Sequence, residues 1–302
     1  MKAKKILVVG SSNTDMVIKT NHFPAPGETI LGGKFLMNAG GKGANQAVAA
    51  ARLGGSVMFV GKIGDDIFGK QAVRQLKEEG INVNFVAVDS ENPSGVALIT
   101  VDQNGENSIV VASGANGTLV PADFDKATAE LDESEFVLMQ LEIPIPTVEY
   151  IARIAARQQK KVILNPAPAT ALSNELFRNL FLITPNETEA ELLTGIKVTD
   201  EQTALKAATV LHEKGVEMVI ITLGAAGAFL LSGEKSELIK APEVVAVDTT
   251  AAGDTFNGAL AVALAEGKTI RDAIAFANRA AAISVTRIGA QASVPYRDEI
   301  VN

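Results

Sequence analysis

The stretch from Val247 to Ala259 places a carboxylate among small, flexible residues just before a helix. Its sequence, Val-Asp-Thr-Thr-Ala-Ala-Gly-Asp-Thr-Phe-Asn-Gly-Ala, predicts the end of a strand, a tight turn and the start of a helix. Unpaired backbone N–H groups and the helix dipole make such a helix start an anion-binding site. Asp254 could therefore be a general base beside a phosphoryl group, or it could merely cap the helix.

A second stretch, Ala39 to Gly54, places glycines directly before an alanine-rich helix that ends at a glycine. Bare backbone at a helix start allows a ligand to approach closely. Lys42 adds a cation there and Asn45 adds an amide. The spacing matches neither a Walker A loop nor a dinucleotide fingerprint, in which Gln46 would have to be glycine. A glycine turn needed only for packing is the alternative.

The elements that must position these residues are strands and helices in alternation. Short apolar runs predict buried strands, and the segments between them predict helices, so we expect a mostly parallel sheet. Strands are predicted at Lys5–Gly10, Ser56–Gly61, Phe136–Leu141, Val162–Pro166, Leu180–Thr184 and Met218–Thr222, and helices at Thr147–Gln158 and Glu201–Lys214.

Polar residues follow the ends of several strands. Ligands bind at the carboxyl ends of the strands in an open parallel sheet, so these residues are expected to meet in one site. Such clustering favours the general-base role of Asp254 over capping. For Asn13 and Asp15 an Asx-turn is the alternative. The set is Asn13, Asp15, Glu142, Asn186, Glu189, Thr222, Asp248 and Asp254.

Two segments interrupt this alternation. Residues from about Met16 to Met37 have strand character on both sides of a turn rich in proline and glycine. A second β-rich piece has strands at Phe85–Val88, Gly95–Val101 and Ser108–Ala112, with a hairpin turn at Asp102–Glu106. The two pieces are predicted to pair in a small accessory sheet, and a lid is one use of such a sheet.

Composition excludes several kinds of protein. The 302 residues include no cysteine and only His22 and His212, which excludes disulfides, thiol catalysis and a histidine-based metal cluster. The net charge of −8 argues against a nucleic-acid partner. Apolar runs are too short for a membrane span or a signal peptide. We therefore expect a cytoplasmic protein with no membrane partner and no interdomain linker.

Two ordered motifs, Gly40-Gly41-Lys42-Gly43-Ala44-Asn45-Gln46-Ala47 and Asp248 to Gly258, closely resemble the signature motifs of the ribokinase-like carbohydrate kinases. Asn165–Pro168, Thr184–Glu189 and Gly289–Pro295 fit the same family. The resemblance implies a single carbohydrate kinase domain over residues 1–302. The implied α/β fold is a three-layer α/β/α body with a mostly parallel central sheet plus a small β-sheet lid, formed by insertions at about 14–38 and 90–112. The lid is similar to one that pairs between subunits of a homodimer.

The resemblance also implies an activity, ATP-dependent phosphorylation of a small sugar. The leading expectation is D-ribose phosphorylated at O5, giving D-ribose 5-phosphate and ADP. The alternatives are deoxyribose, fructose or a nucleoside as substrate, or a non-catalytic sugar-binding regulator. In this family pattern Asp254 matches the general base, and Ala251, Ala252 and Gly253 match a backbone anion hole for the phosphoryl group.

The resemblance implies further roles for groups of residues, together with ATP, Mg²⁺ and K⁺ as cofactors. The implied sugar contacts are Asn13, Thr14, Asp15, Gly41, Lys42, Gly43, Ala44, Asn45, Glu142 and Asp254. The implied nucleotide contacts are Asn186, Thr222, Leu223, Gly224, Ala225, Ala226, Gly227, Gly253, Asp254 and Asn278. Glu189 is implied to hold magnesium through water. The implied monovalent-cation loop contains Asp248, Thr250, Ser284, Arg287, Gly289 and Ser293.

Overall fold

Strands and helices alternate along most of the computed structural model, which describes residues 5–31 and 33–300. The strands within these ranges are β1 (Lys5–Val9), β2 (Asn13–Lys19), β3 (Lys34–Gly40), β4 (Ser56–Gly64), β5 (Asn82–Asp89), β6 (Gly95–Val101), β7 (Asn107–Ala112), β8 (Ser134–Met139), β9 (Lys161–Leu164), β10 (Leu182–Ile183), β11 (Met218–Thr222), β12 (Ala228–Ser232) and β13 (Lys235–Ile239). The helices are α1 (Lys42–Arg52), α2 (Ile67–Glu78), α3 (Pro121–Asp125), α4 (Thr128–Glu133), α5 (Ile145–Arg157), α6 (Asn174–Arg178), α7 (Glu187–Thr194), α8 (Glu201–Glu213), α9 (Ala252–Ala265) and α10 (Ile270–Ser284).

Nine of these strands form the large sheet, in the order β13-β12-β11-β10-β9-β8-β1-β4-β5. All neighbours from β11 to β5 in this order are parallel, whereas β11, β12 and β13 pair antiparallel at one edge. The carboxyl ends of the parallel strands therefore share one edge of the sheet. This arrangement confirms the mostly parallel sheet that the sequence predicts.

Helices cover both faces of this sheet. In β1, Ile6 and Val8 belong to the apolar core on one face, and Leu7 and Val9 belong to the core on the other. All four side chains are fully buried, as expected for a strand covered on both sides. One core is completed mainly by α1, α9 and α10, and the other mainly by α5, α7 and α8. The predicted three-layer α/β/α body is confirmed.

A smaller sheet, the lid, lies beside this body with the strand order β3-β2-β6-β7. β2 pairs parallel with β6, and the two outer pairs are antiparallel. The predicted hairpin turn between β6 and β7 is confirmed, because Asp102 N–H donates to the Glu106 carbonyl at 2.9 Å. Gly105 takes the left-handed conformation that this turn requires, with φ +82°.

The structure corrects part of the predicted accessory sheet. Phe85–Val88 lies within β5 at the edge of the large sheet, where Phe85 pairs with Val60 of β4. Val83 and Phe85 pack against the two apolar cores, and this burial outweighs the local similarity to the lid strands. The edge hairpin of β12 and β13 was not predicted. Within the described ranges, no helix has the length and apolar character needed to cross a bilayer.

Candidate active site

Asp254 lies in the first turn of α9, and its carboxylate faces α1. Its Oδ2 accepts a hydrogen bond of 2.9 Å from the Asn45 side chain, and its Oδ1 accepts one of 3.0 Å from the Gln46 side chain. The N-cap position of α9 is Ala251, and no side chain caps the helix. Capping is therefore not the role of Asp254. The two glycine-containing motifs meet at this carboxylate.

Asp254 is nearly inaccessible to solvent, with a relative exposure of 6%. Burial raises the pKa of its carboxyl group, and Glu142 adds to the increase. Lys42 and the two amide hydrogen bonds oppose this increase because they favour the ionised form. A buried carboxylate with a raised pKa and donors that keep it ionised has the properties of a general base.

The turn before α9 leaves backbone donors free. Ala251 adopts a left-handed conformation, φ +59°, which is uncommon for a residue other than glycine. Ala252 N–H donates to the Thr249 carbonyl at 3.2 Å, within the turn. The N–H groups of Gly253 and Asp254 have no acceptor in the preceding turn of a helix that starts here. A Cβ atom on Gly253 would meet nothing within 4 Å, so this backbone faces open space suited to an anion.

Glu142 joins three segments of the chain at the edge of the site. Its Oε2 accepts a hydrogen bond from the Ser11 hydroxyl at 2.5 Å and one from the Lys42 backbone N–H at 3.0 Å. Ser11 in turn accepts the Ala44 N–H through its carbonyl at 2.8 Å. The ends of β1 and β8 are thereby joined to the start of α1. Gly43 packs so closely that a Cβ atom there would lie 2.6 Å from the backbone of Gly10.

Lys42 interacts electrostatically with four carboxylates of the site. Burial lowers the pKa of its ammonium group, but the carboxylates together outweigh this effect and raise it. Burial also raises the pKa of Asp15 to about 6, with smaller increases from nearby carboxylates. Lys42 therefore stays charged and partly neutralises this acidic pocket. The four carboxylates belong to Asp15, Glu142, Glu189 and Asp254.

Asn13 and Asp15 lie in β2, so neither forms the Asx-turn considered above. Asn13 Oδ1 accepts a hydrogen bond of 2.8 Å from the Asn116 side chain. Asn116 also binds both backbone groups of Ser12 and is fully buried. Asn116 was not predicted from the sequence, because it lies in a short 3-10 helix that has no motif of its own. Thr14 follows Asn13 in the same strand, and Gly41 precedes α1 with φ +87°.

The predicted nucleotide contacts lie at the neighbouring strand ends. Asn186 is the N-cap of α7 and forms a reciprocal capping box with Glu189, whose carboxylate accepts the Asn186 N–H at 2.9 Å. Thr222 forms an isolated parallel bridge with Asn186. The residues from Leu223 to Gly227 form a turn closed by a hydrogen bond between its two ends. Asn278 lies in α10 and donates from its amide to the Ile239 carbonyl at 2.8 Å, which leaves its oxygen as the remaining acceptor.

Asp248 joins the two loops of the predicted monovalent-cation site. Its carboxylate accepts the N–H of Thr250 at 2.9 Å and the N–H of Gly289 at 2.8 Å. The hydroxyls of Ser284 and Ser293 donate to nearby carbonyls, and the Arg287 side chain pairs with a glutamate. Backbone carbonyls of these loops, and the lone pairs of the serine hydroxyls, are oxygens of the kind that hard cations prefer.

The predicted magnesium site, in which Glu189 binds the ion through water, needs few protein ligands. Among the residues described, no three His, Cys, Asp or Glu side chains are grouped to hold a metal ion. Mg²⁺ dehydrates reluctantly and binds mainly to phosphate and water, with one or two carboxylates. Burial raises the pKa of Glu189, but the Asn186 N–H and Lys42 favour its ionised form. The residues present are compatible with a magnesium ion held through water.

The family assignment rests on a match that spans nearly the whole chain. The model for the pfkB family carbohydrate kinases matches residues 3–297. The protein therefore belongs to the pfkB family of carbohydrate kinases, which confirms the prediction from the two motifs.

Individual relatives carry more specific names. A ribokinase from Haemophilus influenzae is 51% identical over 98% of this chain and 97% of its own length. A deoxyribokinase from Salmonella typhi is 39% identical over 96% of this chain and 95% of its own length. The structure of Arabidopsis thaliana ribokinase complexed with ribose and ATP has a TM-score of 0.93 and 35% identity, covering 99% of this chain and 97% of that chain.

Proposed function

We propose that this protein transfers the γ-phosphoryl group of ATP to O5 of D-ribose, giving D-ribose 5-phosphate and ADP. The observation that carries the proposal is the meeting of the buried Asp254 carboxylate with free backbone donors at the start of α9. Ribokinases that are 51% and 43% identical over nearly the full length support ribose as the sugar. A sugar-binding regulator would need neither a base nor an anion hole.

In the proposed reaction, Asp254 accepts the proton of the O5 hydroxyl as that oxygen attacks the γ-phosphorus. The bond from phosphorus to the bridging oxygen of ADP breaks, and ADP leaves. The N–H groups of Gly253 and Asp254 stabilise charge on the phosphoryl oxygens. Lys42 offsets the negative charge around the site. When bound, Mg²⁺ neutralises charge on the ATP phosphates.

The sugar contacts are assigned by the hydrogen-bonding groups that they offer. Asp15, Asn45 and Glu142 surround Lys42 and Asp254, and Asn45 has a buried amide oxygen with no partner. A sugar hydroxyl could donate to this oxygen. We assign Asn13, Thr14 and the backbone from Gly41 to Ala44 to the same pocket.

A coupled ADP-release assay tests the activity. The purified protein is compared on D-ribose, 2-deoxy-D-ribose, D-fructose and nucleosides, with ATP and Mg²⁺ present. We expect the highest kcat/KM with D-ribose. A higher value with deoxyribose would identify the protein with the function of its Salmonella typhi relative instead. No sugar-dependent ADP release with any acceptor would refute the kinase assignment.

We propose K⁺ as an activator bound by backbone carbonyls near Asp248, Thr250, Ser284, Arg287, Gly289 and Ser293. The support is the arrangement in which Asp248 ties together the loops that contain Thr250 and Gly289. An ordered loop here would fix the turn that precedes the anion hole. Higher kcat in potassium than in sodium buffer, at equal ionic strength, is expected. Equal rates in the two buffers would contradict the assignment.

We also propose a homodimer formed through the lid, in the cytoplasm where ATP is available. Every residue of β7 is exposed, including Ile109 and Val110, and Phe35 and Leu98 add exposed apolar surface. An unpaired edge strand can pair with another chain, and an exposed apolar patch of this kind marks a protein–protein contact site. Val110→Lys is expected to give monomers in analytical ultracentrifugation. Ile67→Lys on α2, which is also exposed, is the matched control and should leave the assembly unchanged.

A further inference from the structure

We infer that Gln46 and Asn165 form a directional pair of amides that holds Asp254 ionised and in one orientation before the sugar binds. Gln46 is thus a positioning residue, and it acts through Asp254. The inference rests on the proposed function for its consequence in catalysis. Neither residue is among the predicted site residues.

Gln46 is fully buried in α1 and makes three side-chain hydrogen bonds. Its Nε2 donates to Asp254 Oδ1 at 3.0 Å and to Asn165 Oδ1 at 3.0 Å. Its Oε1 accepts from Gln140 Nε2 at 2.6 Å. The four residues come from α1, α9 and the ends of β8 and β9, so this one side chain connects four elements around the base.

The direction of these hydrogen bonds follows from a backbone carbonyl. Asn165 Nδ2 lies 3.3 Å from the Thr184 carbonyl oxygen, which can only accept. Asn165 must therefore present its oxygen to Gln46. Gln46 must then present its NH₂ group, and the second hydrogen of that group is directed at Asp254. Asp254 thus faces a donor that cannot become an acceptor without breaking the bond to Asn165.

Gln140 does not determine the orientation of the Gln46 amide. Its Oε1 is buried and has no hydrogen-bond partner. If the amides of Gln46 and Gln140 both rotated by 180°, Gln140 would still form a bond with Gln46. Asn165, and not Gln140, therefore determines which group Gln46 offers to Asp254.

A donor at Oδ1 stabilises the ionised carboxylate relative to the protonated form. Most of the groups around Asp254 instead favour its protonated form. Burial disfavours the charge on Asp254, and carboxylates face it from β2, the end of β8 and α7. The cation that faces it is Lys42 of α1. The carboxylates are those of Asp15, Glu142 and Glu189.

The test compares Asn165→Leu with Gln140→Leu. Each substitution removes one amide that bonds to Gln46, and neither residue bonds to Asp254. We expect the acidic limb of the kcat–pH profile to move up by at most about one pH unit in Asn165→Leu, because Gln46 still donates to ionised Asp254 but is free to turn its oxygen towards the protonated form. The limb should stay in place in Gln140→Leu, and the KM for ribose should change little in either variant.

A merely structural role would lower kcat at all pH values and would affect the two variants alike. An acidic limb at the same pH in the wild type, Asn165→Leu and Gln140→Leu would therefore overturn the inference. If Asn165→Leu does not fold, Gln46→Met replaces it, because this variant removes the donor to Asp254 itself. The expected shift of the limb is in the same direction.

A readout without turnover separates this inference from the proposed function. In protein labelled with ¹³C at the aspartate carboxyl carbons, the Asp254 signal is identified by its loss in Asp254→Asn. Its titration midpoint should rise in Asn165→Leu and remain unchanged in Gln140→Leu. Absence of ribose-dependent ADP release by the wild type would refute the kinase activity. An unmoved Asp254 midpoint in Asn165→Leu would refute the amide pair.

Discussion

The Glu142 carboxylate accepts the backbone N–H of Lys42 at 3.0 Å, so a residue at the end of β8 satisfies a free donor at the start of α1. The N-cap residue Gly41 has no side chain that could do this. Glu142 also accepts the Ser11 hydroxyl. One carboxylate therefore fixes the first glycine-containing motif against the sheet, and we propose that it also contacts the sugar.

Glu142→Ala should reduce both stability and sugar binding. We expect unfolding free energy to fall by about 1.5–3 kcal/mol, because hydrogen bonds to a charged group are lost and their donors stay partly buried. Urea unfolding measures this change, and calorimetry measures ribose binding. The exposed Glu191→Ala is the control. Unchanged stability of Glu142→Ala would show that this helix start is satisfied by other means.

Asp254→Asn should keep the fold and sugar binding but lose most turnover. An amide cannot accept the hydroxyl proton, and general-base assistance contributes about 10²–10⁴-fold to the rate. Single-turnover ADP formation measures the loss, and ribose binding is followed by calorimetry. Asp272→Asn, at an exposed position near the start of α10, is the control. Near-normal turnover of Asp254→Asn would place the base elsewhere.

Two alanine substitutions in α9 should have opposite effects on stability. A methyl group on Gly253 would enter open space at the helix start, so Gly253→Ala should leave the fold intact or stabilise it by up to about 1 kcal/mol. The same methyl would occupy the space proposed for the phosphoryl group and should lower kcat. On Gly258 it would lie 2.6 Å from Ala49 Cβ and 2.7 Å from the Gln46 carbonyl oxygen, so Gly258→Ala should destabilise the fold.

Thermal unfolding and ADP-release rates of the two variants test this contrast. Full activity in Gly253→Ala would mean that the phosphoryl group does not approach this turn.

Asp15→Asn should stabilise the protein at neutral pH and not at low pH. Burial raises the folded-state pKa of Asp15 from 3.8 to about 6. Below pH 3.8 the group is protonated in both states; as pH rises towards 6 the unfolded chain ionises first and the protein loses stability. Two pKa units correspond to about 3 kcal/mol, which is the upper limit of the gain expected at pH 8.

Urea unfolding at pH 4 and pH 8 measures this difference, with the exposed Asp132→Asn as the control for the substitution itself. A gain of equal size at both pH values would show that the charge of Asp15 is not its cause.

Local sequence patterns predicted the helix starts and the strands because these depend on neighbouring residues, and the alternation of the two predicted the parallel sheet. The meeting of Asn45 with Asp254 was expected from the resemblance to the kinase family, which assigned both residues to one sugar site. The contacts of Gln46 were not predictable in this way, since they connect residues 94, 119 and 208 positions apart and depend on how α1 and α9 pack. The spacing of Asn186 and Glu189 did carry a signal, because it is that of a capping box.

β2 begins at Asn13, in the proposed sugar pocket, and continues without interruption to Lys19 in the lid. β2 is hydrogen-bonded to β3 on one side and to β6 on the other, so it moves as a rigid element. A small tilt of its outer half therefore displaces Asn13 and Asp15 together. We therefore expect natural variation at the exposed end of this strand to change sugar affinity while every residue of the proposed pocket stays the same.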